Sequence, residues 1–379
     1  MSLLAARRPE VDLDRVRSAL SAVHDPEIGK PLPELGMLGE LTARAGRVRV
    51  EVRLTTESCP LAADIRQAVT TVVSGEAGVR DVEVAFTTMP PRDRAELADR
   101  LRHTAPPLTG GLGRPGPRIY AIASGKGGVG KSTVTANLAA ALAAGGHRVG
   151  VLDADVWGYS MPQLFGVRRS PVVLGEMMMP VPAHGVGLMS MGFFVDEEQP
   201  VVWRGPMLHK ALQQFITDTY WGDLDALLVD LPPGTGDATL SLFEFLPDAT
   251  LLAVTTPQTT ARIVATRVAR MAAEVGVPLA GVIENMSAAV CGSCGDHTSV
   301  FGTGGGAHLS EQTGAPLLGQ VPLDIELRQA GDNGIPVVIA APESASAREL
   351  TRIAATLPAP RRSLAGRALP LSVLGSAKP

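Results

Sequence analysis

The segment Ser124-Gly125-Lys126-Gly127-Gly128-Val129-Gly130-Lys131-Ser132-Thr133 has glycines at 125 and 130, with a lysine and a serine directly after the second. That spacing completes the pattern of a phosphate-binding loop. Backbone N–H groups converge on phosphate oxygens only where the chain bends tightly, and glycine permits the bend. Arg118 to Ala123 reads as a strand before the loop, and Lys131 to Ala144 as an alanine-rich helix after it. The helix adds its positive end. Phosphate contacts are therefore expected along the whole run Gly125 to Thr133. Lys131 should reach the β and γ phosphates of ATP, and Ser132 should place its hydroxyl on Mg²⁺. A chance glycine-rich turn would lack the flanking strand and helix.

Beyond the loop, short apolar strands alternate with helical stretches. His147 to Leu152, Leu224 to Val229, Thr250 to Thr255 and Leu279 to Ile283 read as further strands. The pattern predicts an α/β fold of the P-loop NTPase type, a mostly parallel sheet covered by helices on both faces. Asp230 closes an apolar run and is followed by Leu231-Pro232-Pro233-Gly234-Thr235-Gly236-Asp237. A carboxylate at the C-terminal end of a parallel strand faces the ligand crevice, where it can hold the hydration shell of Mg²⁺. Asp153 and Asp155 end another strand. Asp155 is assigned to positioning the attacking water, as a catalytic residue beside Lys131. Asp153 is assigned to the outer shell of the metal, with the reverse division left open.

The first 87 residues read as a separate small α+β unit, with helical spacing over Val11–Val23 and Leu61–Val73 and strand alternation over Arg47–Leu54 and Val79–Phe86. Residues 88–117 are dense in proline and glycine and fit a linker, with a short polar helix expected from Arg94 to His103. The ATPase unit is expected over 118–357, and 358–379 as an irregular tail. Met177-Met178-Met179 and Phe193-Phe194 are expected as core or dimer-interface contacts.

Apolar residues make up 45% of the 379 residues and charged residues 19%, ordinary values for a globular protein. The net charge of -4 gives no global pull toward nucleic acid or an anionic membrane. No apolar run approaches the ~18 residues of a membrane span. The three cysteines, Cys59, Cys291 and Cys294, are too sparse for a secreted disulfide scaffold. A cytoplasmic, reducing location is expected.

Cys291-Gly292-Ser293-Cys294 lets two sulfurs converge on one metal centre. Two thiolates complete neither a tetrahedral zinc site nor a four-iron cluster, whereas two chains across a dimer axis supply four. Spacing alone leaves zinc, redox chemistry and cluster binding open. His297 nearby reads as solvated. Cys59 sits after a strand and before a helix, where a helix N-terminus would stabilise its thiolate as an accessory thiol; an inert half-buried cysteine is the plainer alternative.

Lys126-Gly-Gly-Val-Gly-Lys131-Ser-Thr resembles the deviant loop of the MinD/ParA/nitrogenase-iron-protein class. Asp153-Ala-Asp155, Arg204-Gly-Pro-Met207, His209-Lys210-Ala-Leu-Gln-Gln-Phe215, Asp230 to Asp237, Thr255-Thr-Pro-Gln258, Asn285-Met-Ser287 and Cys291-x-x-Cys294 narrow that resemblance. They resemble the Mrp/ApbC-type P-loop ATPases, which carry or insert iron–sulfur clusters. Asp25-Pro-Glu27, Leu35-Gly-Met37 and Thr55 to Pro60 look like the small domain often fused to the N-terminus of that family.

The resemblance implies a homodimer with nucleotide sandwiched between subunits, and Lys126 reaching the partner's ATP. It also implies Asn285 and Pro322 beside the adenine, and an iron–sulfur cluster, expected to be [4Fe–4S], bridged by Cys291 and Cys294. The partners implied are apo iron–sulfur proteins and cluster-assembly proteins, with neither nucleic acid nor membrane. Two positions depart from the family pattern: Tyr159 stands where proline is common, and Gly292 follows Cys291 where proline is common. The rival readings are a spatial-organisation switch of the ParA/MinD kind, and the same ATPase with structural zinc at the thiol pair. The first needs an amphipathic C-terminal helix or a basic stripe, and Pro370 interrupts any helix in the tail.

Overall fold

The computed structural model describes residues 11–57, 59–109, 116–195, 205–290 and 294–357. Arg204, Cys291, Gly292 and the tail lie outside the described residues.

The chain begins with α1 (Leu13–Ala19), capped by Asp12, whose carboxylate accepts from the N–H groups of Asp14 and Arg15. Strands β1 (Leu38–Arg44) and β2 (Arg47–Leu54) form an antiparallel hairpin, and α2 (Ala62–Ser74) crosses over to β3 (Asp81–Thr88), parallel to β2. Alternation places Val48, Val50, Val52 and Leu54 inward. Ile65, Val69 and Val73, four apart on α2, cover them. The helix α3 (Pro91–Thr104) starts on a proline at N1 and buries Leu97, Ala98 and Leu101 in this same core. Within the stretch read as linker, 14 residues are thus helix, longer than the Arg94–His103 expected and packed onto the first sheet.

The second sheet is built from β4 (Arg118–Ser124), then after α4 (Lys131–Ala144), β5 (Val149–Asp153). The short helix α5 (Met161–Leu164) leads to a two-stranded ribbon, β6 (Val173–Leu174) with β7 (Met177–Met178). Next come β8 (Val181–Ala183), β9 (Val186–Ser190), α6 (Gly205–Thr217), β10 (Ala226–Asp230), α7 (Asp237–Phe245), β11 (Thr250–Thr255), α8 (Thr259–Glu274) and β12 (Leu279–Val290). The chain closes with β13 (His297–Thr298), α9 (Gly305–Thr313), β14 (Leu317–Leu323), α10 (Ile325–Asp332), α11 (Val337–Ala340) and α12 (Ala345–Thr356). The strand order is β13-β12-β11-β4-β10-β5-β9-β8, with β14 also on β12. Pairing is parallel except for β8 on β9 and β13 on β12.

Every residue of β5, β10 and β11 is buried, as a parallel sheet covered on both faces requires. From β4 the chain moves to β5 on one side and later to β11 on the other. The strand ends at this reversal open toward the loop after β4, the place where α/β sheets bind ligands.

The two cores meet. Leu174, Met177, Met179 and Tyr220 from the larger sheet's side join the buried cluster of the N-terminal sheet. Two of the three consecutive methionines therefore seal this junction, where flexible side chains fill an irregular gap. Among the described residues no helix is long and apolar enough to cross a membrane.

Candidate functional site

The loop between β4 and α4 bends through Gly128 and Gly130, at φ 80° and 82°. Gly125 is demanded by proximity instead: a Cβ there would lie 2.3 Å from the backbone of Val264 and Ala265 in α8. Helix α8 therefore presses directly on the loop. Lys131, the first residue of α4, is buried with its Nζ 2.8 Å from Asp230 Oδ2 and 3.6 Å from Asp155 Oδ2. Ser132 Oγ donates to Asp230 Oδ2 at 2.5 Å, and Thr135 Oγ1 to Asp230 Oδ1 at 2.9 Å. Strands β4, β5 and β10 thus bring Lys131, Ser132, Asp155 and Asp230 to one point. Thr135 escaped sequence reading; its only signal was its place one turn after Lys131 on the face toward β10.

The loop after β10 is fastened to the phosphate strand, since Gly234 N–H donates to the Ser124 carbonyl at 3.0 Å. Asp155 is raised above the usual carboxylate range, chiefly by burial, while the Lys131 ammonium pulls the other way. Its Oδ1 accepts from Gly158 N–H at 3.1 Å.

Asp153 is fully buried and serves the loop that follows it. Its Oδ2 accepts from Ser160 N–H, Met161 N–H and Ser190 Oγ at 3.1, 3.2 and 2.9 Å, and its Oδ1 from Asp155 N–H at 3.3 Å. Burial, then the Asp230 carboxylate, pushes Asp153 up to about 7. These contacts make Asp153 an anchor for the loop that follows it. Tyr159, at the unusual position in that loop, packs where a Cβ on Gly192 would come within 2.5 Å of its ring.

At the other rim, Asn285 in β12 donates from Nδ2 to the Val129 carbonyl of the phosphate loop at 2.9 Å. Its Oδ1 is buried and has no hydrogen-bond partner. Such an acceptor is costly unless a donor completes it, and the exocyclic amine of adenine is such a donor. Pro322 is buried one residue beyond Val321, the register partner of Asn285. Lys126 is exposed, free to reach outward.

Past Asn285, β12 continues to Val290 and turns back into β13, pairing Ala289 with Thr298 and Val290 with His297. Cys294 lies exposed in the connecting turn, and His297 is exposed as expected. Cys59 is half-buried against the N-terminal core. Burial pushes its thiol up and outweighs the Leu61 N–H that favours the thiolate. The stabilised thiolate expected at a helix N-terminus is therefore absent in this arrangement. Among the described residues no three His, Cys, Asp or Glu side chains gather as a metal-binding group.

The NUBPL iron-transfer P-loop NTPase family matches residues 117–358, and the iron-sulfur cluster assembly protein family matches residues 13–86. The chain belongs to the iron-transfer P-loop NTPases. It is 45% identical over 365 residues to the iron-sulfur cluster carrier protein of Mycobacterium leprae, covering 94% of this chain and 95% of that one. The protein of the same description in Mycobacterium tuberculosis is 47% identical, with 94% and 96% covered. Among solved structures, the ADP-bound nucleotide-binding protein of Archaeoglobus fulgidus is 36% identical, with a TM-score of 0.51. That match covers 57% of this chain and 86% of the other. Family membership gives the loop around Lys131 its meaning as a nucleotide site, and the N-terminal match assigns the smaller sheet to the same theme.

Proposed function

We propose that this chain is an ATP-binding and ATP-hydrolysing iron–sulfur cluster carrier that works as a homodimer. The observation that carries the reading is strand β12. One continuous strand holds Asn285, bonded to the phosphate loop, and runs on to Val290, with Cys294 in the turn before β13. Nucleotide and cargo sites are thereby mechanically joined. The 45% and 47% identical relatives, described as cluster carriers, support the same reading.

Lys131 exchanges its carboxylate partners for phosphate oxygens as ATP enters. Ser132 and Asp230 would hold Mg²⁺, which supplies charge neutralisation at the β and γ oxygens when bound. Asp155 orients the attacking water, and Asp153 fixes the loop that carries it. Lys126 extends to the nucleotide of a second subunit, so charge neutralisation is complete only in the closed dimer. Asn285 and Pro322 border the adenine. Cys291 and Cys294 of both subunits supply four thiolates to one cluster, read as [4Fe–4S]. Opening the dimer divides that ligand set, which suits delivery to apo iron–sulfur proteins in the cytoplasm. Cys59 stands apart as an accessory thiol.

Anaerobic purification with iron and sulfide analysis tests the cargo. About four of each per dimer is expected, and Cys291→Ala or Cys294→Ala should lose the iron. Stoichiometric zinc without iron would overturn it. Asp155→Ala should retain nucleotide and lose about 100-fold in turnover; unchanged turnover removes its assigned role.

A further inference from the structure

Glu27 sits in a turn of the N-terminal unit closed by Asp25 Oδ1, which accepts from the N–H groups of Glu27 and Ile28 at 2.9 Å each. Across the junction, Arg169 places Nη1 2.8 Å from Glu27 Oε1. The side chains are only 22% and 7% exposed, for Arg169 and Glu27. Arg169 Nη2 is buried without a partner. An ion pair of this kind contributes little net stability over an apolar contact, so its value lies in fixing one docking geometry.

Arg169 is also tied to the phosphate site. Asp153, at the end of β5, anchors Ser160 and Met161 at the start of α5. From α5 the chain turns at Gly166, packed against Gly334, and reaches Arg169 three residues later. Ser170 Oγ then bonds the Phe193 carbonyl, and the β6–β7 ribbon enters the N-terminal core through Leu174 and Met177. On the other side of the pair, Ile28, directly after Glu27, lies in the buried cluster against which Cys59 packs.

We propose that the Glu27–Arg169 pair transmits the nucleotide state of the phosphate loop to the N-terminal unit and so sets access to Cys59. A rigid guanidinium fork tolerates little displacement before its bond is lost. Movement of the Asp153–Ser160 loop with the γ phosphate is carried by α5 to Arg169, and the N-terminal unit loosens or tightens in response. The inference rests on the nucleotide-binding half of the proposed function and is independent of the cargo.

Maleimide alkylation of Cys59, followed by peptide mass spectrometry in the full-length chain, tests it. Rates are compared without nucleotide and with Mg²⁺ and a non-hydrolysable ATP analogue. The wild-type rate should change about fivefold or more with nucleotide. Arg169→Ala should raise the nucleotide-free rate and abolish the nucleotide response. A purely electrostatic neighbour gives the opposite sign, because loss of its positive charge disfavours the thiolate and slows alkylation. Slower alkylation in Arg169→Ala, or a response of wild-type size, overturns the proposal.

Glu27→Gln breaks the pair from the other side and should also abolish the response, while Arg169→Lys should restore part of it. Far-ultraviolet circular dichroism and calorimetric titration of the same analogue confirm that each variant is folded and loaded. A wild-type chain that binds the analogue with no change at Cys59 overturns the coupling alone. Failure of the wild type to bind would defeat the nucleotide reading and the coupling together.

Discussion

Lys131 and Arg169 are both withdrawn cations held 2.8 Å from a carboxylate, yet their surroundings differ in kind. Around Lys131 every group has an alternative: Asp230 also accepts from Ser132 and Thr135, and Asp155 stands 3.6 Å away. Arg169 has one carboxylate and an idle Nη2. The first arrangement is a socket whose cation can change partners without leaving a charge stranded. The second is a clasp, which either holds or lets go.

The largest effect should come from emptying the socket. Lys131→Ala leaves Asp153, Asp155 and Asp230 without their shared cation, and breaking a buried pair costs about 3–5 kcal/mol. Urea unfolding at neutral pH should show that loss, and calorimetry should show no nucleotide binding. Arg169→Ala should cost less, about 1–3 kcal/mol for one stranded acceptor, since Glu27 is already raised by burial and can neutralise. Equal losses would erase the distinction between socket and clasp.

Next in size is a contrast inside the loop. Gly125→Ala drives a methyl into the backbone of α8, which cannot swing aside, and should cost about 3 kcal/mol. Gly128→Ala meets open space and should cost about 1 kcal/mol, for its left-handed backbone alone. Thermal unfolding of the two variants measures the difference. Similar losses would mean that α8 yields at Gly125.

These two regions also differ in how they were written into the chain. The socket's loop is contiguous, so spacing from Gly125 to Thr133 revealed it, and the apolar run before Asp230 placed its carboxylate at a strand end. The succession of short apolar strands and helical stretches likewise gave the parallel sheet. The clasp joins residues 142 apart, and neither Glu27 nor Arg169 carries a local signal of the other. Asp153 was legible as a carboxylate at a strand end, but sequence cannot show that its oxygens also meet Ser160, Met161 and Ser190. The helix pattern starting at Leu61 suggested a stabilised Cys59 thiolate, but burial, a tertiary quantity, decides the direction there.

A smaller effect is expected from pH. Asp153 lies at about 7 in the folded chain against an ordinary 3.8. A carboxyl raised by folding contributes its stability below the unfolded value and loses it as pH rises through the folded one. Nucleotide-free protein should therefore lose part of its stability between about pH 4 and 7, and Asp153→Asn should flatten that slope in denaturant titrations. A slope unchanged in the variant would assign the titration to another group.

The smallest effect belongs to the surface. Arg148 bridges Asp223 at 2.6 Å and Asp225 at 2.8 Å, but all three side chains are a third or more exposed. Solvent screening leaves such a network worth about 0.5 kcal/mol, less in high salt. The Arg148 hydrogen bonds nonetheless hold the Asp225 carboxyl down at about 2. A depressed carboxyl contributes above its unfolded value of 3.8 and loses that contribution as pH falls through about 2. Arg148→Ala should thus leave neutral stability nearly intact and remove a small acid-limb decline. A loss at neutral pH comparable with that of Arg169→Ala would show that this exposed network, on the edge of the cleft between the two units, also takes part in holding them together.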